Sequence, residues 1–153
     1  MYQLDAHVIV LKLVPGFDDE CVYSLINYSK TLKALVLEMY GTGNGPPRAR
    51  LVEAIKLAKK RGIVVVAISQ CLNGGVSLDS YSMGREFKEA GVISGGDMTT
   101  EACSTKLAYL FGRLGDDVIS IAKMIGESIR GEISDDAERS GKKLFAKGLR
   151  SKL

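Results

Sequence analysis

Ala34-Leu35-Val36-Leu37-Glu38-Met39, continuing into Tyr40-Gly41-Thr42-Gly43-Asn44-Gly45-Pro46-Pro47, is the stretch that decides the architecture. An apolar run that ends in a glycine- and proline-rich turn predicts a strand followed by a sharp change of direction. Arg48 to Arg61 comes next, with Leu51, Ala54, Ile55 and Ala58 at the spacing of an amphipathic helix. Pro47 suits the first turn of that helix and Gly62 its end. Ile63 to Ser69 then forms a β-branched, continuously apolar run, the pattern of a parallel strand covered on both faces. Strand, helix and strand in this order make one βαβ unit.

The same alternation extends in both directions. Upstream, His7 to Val14 predicts a buried strand, which Pro15-Gly16 ends. Phe17 to Ser29 predicts a helix, with Phe17, Cys21, Val22, Leu25 and Tyr28 near one face. Downstream come a short helix over Ser82 to Glu89 and a short strand over Val92 to Ser94. Two helices follow, Thr100 to Phe111 and Val118 to Ile129, with Asp97 or Thr99 available as N-cap of the first. The expected fold class is therefore α/β: a small parallel sheet of about four strands flanked by helices. Residues 1–133 are expected to form this domain. Residues 134–153 read as a polar, basic tail outside the core. Met1 stands a few residues before a buried strand, the beginning expected of half of something larger.

Composition narrows the function classes. Charged residues at 25% and hydrophobic residues at 46% fit a packed globular domain. A net charge of +3 is too mild to argue for nucleic acid. Lys59, Lys60 and Arg61 are better explained by the dipole at a helix end. No apolar run approaches a membrane span, and the first residues lack the layout of a secretory signal. Cys21, Cys71 and Cys103 are scattered and odd in number, which reads as buried thiols in a reducing compartment. His7 is the single histidine. That count excludes a multi-histidine metal site and argues against a Ser-His-Asp triad, and His7 itself is expected as a strand residue. No metal or organic cofactor is implied.

The loop Gly41-Thr42-Gly43-Asn44-Gly45 lies where open α/β sheets bind ligands, beyond the carboxyl end of a strand. Its spacing fails the dinucleotide fingerprint. Two readings stand: a plain strand-to-helix turn, or ligand contact through Asn44, whose amide both donates and accepts.

The ordered motifs tip this balance. Ala34 to Pro46 is similar to the signature of the asparaginase C-terminal domain. Arg61-Gly62-Ile63-Val64-Val65-Val66, Gln70-Cys71, Tyr81-Ser82-Met83-Gly84 and Ala90 to Thr99 follow in the order of the type I, cytoplasmic-type group. Thr105-Lys106-Leu107 and Arg130-Gly131-Glu132 close the match. The resemblance covers roughly residues 7 to 133.

What it implies is hydrolysis of L-asparagine to L-aspartate and ammonia, with the reactive threonines in an N-terminal domain that this chain lacks. The C-terminal domain of a neighbouring subunit completes each active site. Asn44 matches the family asparagine that enters the partner's site, and Tyr81 the type I tyrosine that approaches substrate from the same side. Both would bind and position substrate, and neither would be a catalytic residue. From the residues alone, Tyr81 would be a half-buried tyrosine at a helix start. The implied partners are L-asparagine or a similar amino acid, and homo-oligomers or full-length asparaginase subunits.

Bacterial type I relatives hold an effector asparagine through an arginine in this strand. Glu38 occupies the matching position, and a carboxylate cannot grip the effector's carboxylate. Cys71, which matches a cysteine lining that effector site, is expected as a core thiol, with a regulatory role as the other option. Independent catalysis is not expected. Thr99 and Thr100 lack a lysine-aspartate pair and read as caps, and the only imidazole is remote from Ser69-Gln70-Cys71. The alternatives are a non-catalytic amino-acid-binding or regulatory module, or a piece of an asparaginase-like tRNA-dependent amidotransferase subunit. The chain ends in Ser151-Lys152-Leu153, the form of a peroxisome address read by an import receptor. The other reading is the basic end of a cytoplasmic protein.

Overall fold

The computed structural model describes residues 4, 5, 7–46 and 48–134. The strands are β1 (Val8–Lys12), β2 (Ala34–Met39), β3 (Val64–Ser69) and β4 (Ile93–Ser94). The helices are α1 (Asp19–Tyr28), α2 (Ala49–Lys60), α3 (Ser82–Ala90), α4 (Thr100–Leu114) and α5 (Val118–Ile125). All strand pairs are parallel, in the order β1-β2-β3-β4. The α/β class and the four-stranded parallel sheet flanked by helices are as the sequence predicts.

Because successive strands are neighbours and such crossovers keep one hand, α1, α2 and α3 share one face of the sheet. Period-two alternation splits the strand side chains between two cores. Leu35, Leu37 and Met39 of β2, with Val65 and Ala67 of β3, face Val22 and Ile26 of α1, Leu51 and Ile55 of α2, and Phe87 of α3. Ala34 and Val36, with Val64, Val66 and Ile68, face Cys103, Leu107 and Phe111 of α4 and Ile121 and Ile125 of α5. The register places Leu35 beside Val65 and Val36 beside Val66, so the two central strands are covered on both sides. Each large aliphatic side chain buried this way contributes about 1.5–3 kcal/mol.

The first helix differs from expectation. Its buried residues are Val22 and Ile26, whereas Cys21, Leu25 and Tyr28 are exposed. Val22 is buried and Phe17 packs against the core as expected, but the second buried residue is Ile26, at i+4 from Val22, in place of Leu25. Asp18 sets the phase by capping the helix, accepting from Glu20 N at 3.0 Å. The last helix ends at Ile125, earlier than predicted, with Gly126 at its C-cap. Helix α2 starts with Arg48 at its N-cap; Pro47 lies outside the described residues. Thr99, not Asp97, caps α4, accepting from Ala102 N. Asp97 accepts from Ser134 N at 2.9 Å.

The end of α2 gives Arg61 of the basic run a structural role. Ile63 N donates to Ala58 O (2.9 Å) and Gly62 N to Lys59 O (3.1 Å), with Gly62 at φ 74°, a Schellman ending. Arg61 then reaches the end of α1, donating to Ile26 O, to Asn27 O (2.9 Å) and to Ser29 O (2.6 Å). One guanidinium thus satisfies the orphan carbonyls of a neighbouring helix.

The expectation of three buried thiols is corrected. Cys103 is buried, but Cys21 and Cys71 are exposed, Cys71 because it lies past the end of β3 in a loop. His7 is exposed one residue before β1 and sits 3.7 Å from Asp5. Of the expected tail, 134–153, Ser134 is described and the rest, including Ser151, Lys152 and Leu153, lies outside the described residues.

Candidate functional site

Strand β2 hands over to a tight turn immediately after Met39. Tyr40 and Asn44 form an isolated antiparallel bridge, Tyr40 N to Asn44 O at 2.9 Å and Asn44 N to Tyr40 O at 3.0 Å. Between them the chain must reverse, and Gly43 does so at φ 122°. A Cβ on Gly43 would also lie 3.1 Å from Val76 Cγ1 and 3.2 Å from Ser77 O. The glycine therefore serves two needs, a conformation that L side chains avoid and a close approach to another loop.

That other loop leads from β3 into α3. Ser77 N donates to Thr42 O at 2.8 Å, which fastens the Gly41–Asn44 turn to the Val76–Ser80 segment. The segment packs so closely on α3 that a Cβ on Gly84 would meet Leu78 O at 2.4 Å. Tyr81 occupies the N-cap position of α3, with extended backbone, no cap bond from its side chain and 44% exposure. Asn44 is exposed, and its Oδ1 accepts from Gly45 N at 2.9 Å. Asn44 and Tyr81 thus sit on two loops joined by a backbone hydrogen bond, at the carboxyl end of the sheet. A groove of about 410 Å3 is walled by Ser77, Asp79, Lys88, Ile93 and Ser94; neither Asn44 nor Tyr81 lines it.

The remaining singled-out residues lie close by. Glu38 points to the opposite face, where its Oε1 accepts from Thr100 Oγ1 at 2.6 Å, at the first turn of α4. A carboxylate at a helix N-terminus is favoured by the helix dipole. Cys71 follows Ser69, whose Oγ accepts from Cys71 N at 3.0 Å. Thr99 serves as a cap, as its sequence context suggests. Among the described residues no group of three or more His, Cys, Asp or Glu is placed to hold a metal ion. No helix among them is long and apolar enough to cross a membrane.

Two polar constellations carry roles that the motifs of the sequence do not announce. Gln70 donates its amide to Leu13 O (2.6 Å) and Glu38 O (2.8 Å), tying three strands at the ligand-facing end. Lys106, with its ammonium inside the α4–α5 layer, meets Glu132 at 2.6 Å. Lys106 at the heart of an apolar helix face was the available signal for the second; nothing in the residue pattern announces the first.

Taken together, these features define the chain as a parallel α/β domain that presents paired loops at its strand carboxyl ends. The chain belongs to the glutaminase/asparaginase C-terminal domain family, whose model matches residues 7–125. It is 38% identical over 127 residues to L-asparaginase 1 of Escherichia coli (strain K12), covering 83% of this chain and 37% of that protein. It is 38% identical over 142 residues to a glutamyl-tRNA(Gln) amidotransferase subunit of Methanobrevibacter smithii, covering 93% of this chain and 31% of that protein. The solved thermostable L-asparaginase of Thermococcus kodakarensis superposes with a TM-score of 0.76 at 39% identity, over 87% of this chain and 39% of that one. The chain spans well under half the length of each of these relatives.

Proposed function

We propose that this chain is the C-terminal part of an asparaginase-type amidohydrolase. In this reading it lends Asn44 and Tyr81 to an active site whose threonine nucleophile stands in a separate N-terminal domain. The reaction is hydrolysis of L-asparagine to L-aspartate and ammonia through an acyl-threonine intermediate. The single observation that carries the reading is the fastening of the Asn44 turn to the Tyr81 segment, within a fold matched along residues 7–125 to the asparaginase family. Two polar side chains on joined loops can orient a small amino acid for attack by a group supplied from outside. Residues 1–133 are the functional domain in this proposal, and it works in an oligomer or beside full-length subunits. The terminal Ser151-Lys152-Leu153 addresses it to peroxisomes, with the cytoplasm as the other location.

The test is complementation. The chain is co-produced with the N-terminal portion of a relative such as the E. coli L-asparaginase 1, and ammonia release from L-asparagine is measured. We expect turnover from the pair and none from this chain alone. Turnover by this chain alone, or a folded pair without activity, defeats the reading. Location is tested by deleting Leu153 and imaging the tagged protein; unchanged distribution removes the address.

A second reading is favoured by the similarity to the tRNA-dependent amidotransferase protein, which extends over 93% of this chain. In that case the amide donor would serve tRNA-dependent amidation. Ammonia release that responds to charged tRNA separates the two.

A further inference from the structure

We propose that Ser69 and Gln70 are the positioning residues of the Asn44 turn, and through it of the substrate contact. The geometric part of this inference stands on the structure, and its functional part rests on the reading of Asn44 above. Parallel strands diverge at their ends because each is rotated about 20–25° from its neighbour. That divergence leaves the terminal carbonyls without ladder partners.

Here one dipeptide at the end of β3 closes the gap. Gln70 N donates to Met39 O at 3.1 Å, carrying the β2–β3 ladder past its last pair, Met39 with Ser69. The Gln70 side chain spends both amide hydrogens on main-chain oxygens, Leu13 O at 2.6 Å and Glu38 O at 2.8 Å. Leu13 is fully buried just past β1, where an unpaired carbonyl would be costly. Ser69 Oγ donates to Gly41 O at 2.6 Å and accepts from Cys71 N at 3.0 Å.

Gly41 is the residue at which this matters most. It sits at φ 51°, inside the turn closed by Tyr40 and Asn44. Fastening its carbonyl sets the plane of the Gly41–Thr42 peptide. The next carbonyl, Thr42 O, is then presented to Ser77 N at 2.8 Å. The direction in which Asn44 leaves the turn is thus fixed from below by Ser69 and from the side by Ser77. Gln70 holds the strand ends beside which the Ser69 support stands. The side-chain hydrogen bonds of Ser69 and Gln70 go to main-chain groups, so in this proposal their effect on substrate passes through Asn44.

Backbone hydrogen exchange on the full chain tests the mount directly. Ser69→Ala and Gln70→Leu should speed exchange at the Gly43 and Asn44 amides by about tenfold or more, with the Ile55 and Leu57 amides of α2 within about twofold. Ser69→Thr, which keeps the hydroxyl, should restore protection. Unchanged exchange at Asn44 overturns the proposal, and so does uniform acceleration throughout the domain, which would mark a general stabilising role. In the complemented pair, Ser69→Ala should raise KM for L-asparagine, and it should add nothing in an Asn44→Ala background. Independent, additive effects overturn the route through Asn44. If Asn44→Ala alone leaves hydrolysis unchanged, the substrate contact fails, and the exchange experiment alone decides the positioning claim.

Discussion

Lys106 Nζ lies 2.6 Å from Glu132 Oε1, with the two side chains only 5% and 16% exposed. The same ammonium donates to Ile125 O at 3.0 Å and to Glu127 O, so it also ends α5. Glu132 in turn accepts from Ile129 N (2.9 Å) and Arg130 N (2.6 Å). A single buried cation therefore fastens the segment that leads from α5 back toward Asp97. Removing one member of such a pair strands the other charge. Lys106→Met is expected to cost about 3–5 kcal/mol, read from the urea midpoint. A loss under about 1 kcal/mol would show that the segment is held by Ile129 and Ile133 instead.

The same pair sets an acid limit on stability. Burial alone would push the Glu132 carboxyl up, but the Lys106 ammonium and the N–H groups of Ile129 and Arg130 more than offset it and hold the carboxyl at about 2, below the ordinary 4.5. A depressed carboxyl stabilises the folded state above the unfolded value, and that contribution is lost as the proton returns. The expected contribution is on the order of 2–3 kcal/mol, complete above about pH 4.5 and lost as pH falls toward 2. Urea midpoints of the native chain and Glu132→Gln should converge between pH 4.5 and 2. Parallel curves over that window contradict the assignment.

The three thiols should separate by reactivity. Cys103 is fully buried, and burial raises its thiol to about 12, so it should resist alkylation until the domain unfolds. Cys71 and Cys21 are exposed and should both label in the native state. The Cys21 thiol donates to Asp18 Oδ2 at 3.1 Å, and that carboxylate raises its pKa. Asp18→Asn should therefore speed labelling at Cys21 and leave Cys71 unchanged. Mass spectrometry after timed alkylation reads all three sites, and early labelling of Cys103 would refute the packing of α4.

Gly84 carries a packing prediction that composition would not suggest. A Cβ there would lie 2.4 Å from Leu78 O, a backbone atom that cannot swing aside. Gly84→Ala should destabilise by about 1–3 kcal/mol despite the higher helix propensity of alanine. Thermal unfolding measures it, and a stabilised variant would mean the Val76–Ser80 segment is not packed as described.

Asn44 is the sharpest functional prediction. Its side chain is exposed and makes one local hydrogen bond, to Gly45 N, which water can replace. Asn44→Ala should leave the unfolding midpoint within about 0.5 kcal/mol of the parent. In the complemented pair it should lower kcat/KM for L-asparagine by roughly 10- to 100-fold, the range of a lost hydrogen bond to a charged ligand. Equal rates for the two proteins would remove Asn44 from the site.

The architecture is legible along the chain because the signals that set it are local. β2 was legible residue for residue from Ala34 to Met39, and the Leu51–Ala58 face of α2 from its spacing, since burial imposes period two or 3.6 on neighbouring residues. The ordered motifs likewise placed the chain in its family. Which distant residues meet depends on packing. Thr100 reaches Glu38 across 62 residues, Gln70 reaches Leu13 across 57, and the Asn44 turn is fastened to Ser77 through backbone atoms that carry no sequence label. The exposure of Cys21 and Leu25 on α1 has the same origin: both are apolar enough to be buried, but the phase of the helix is set by its Asp18 cap and by the position of the sheet. Local pattern dictates elements, whereas long-range polar contacts depend on how those elements pack, which no single stretch of chain encodes.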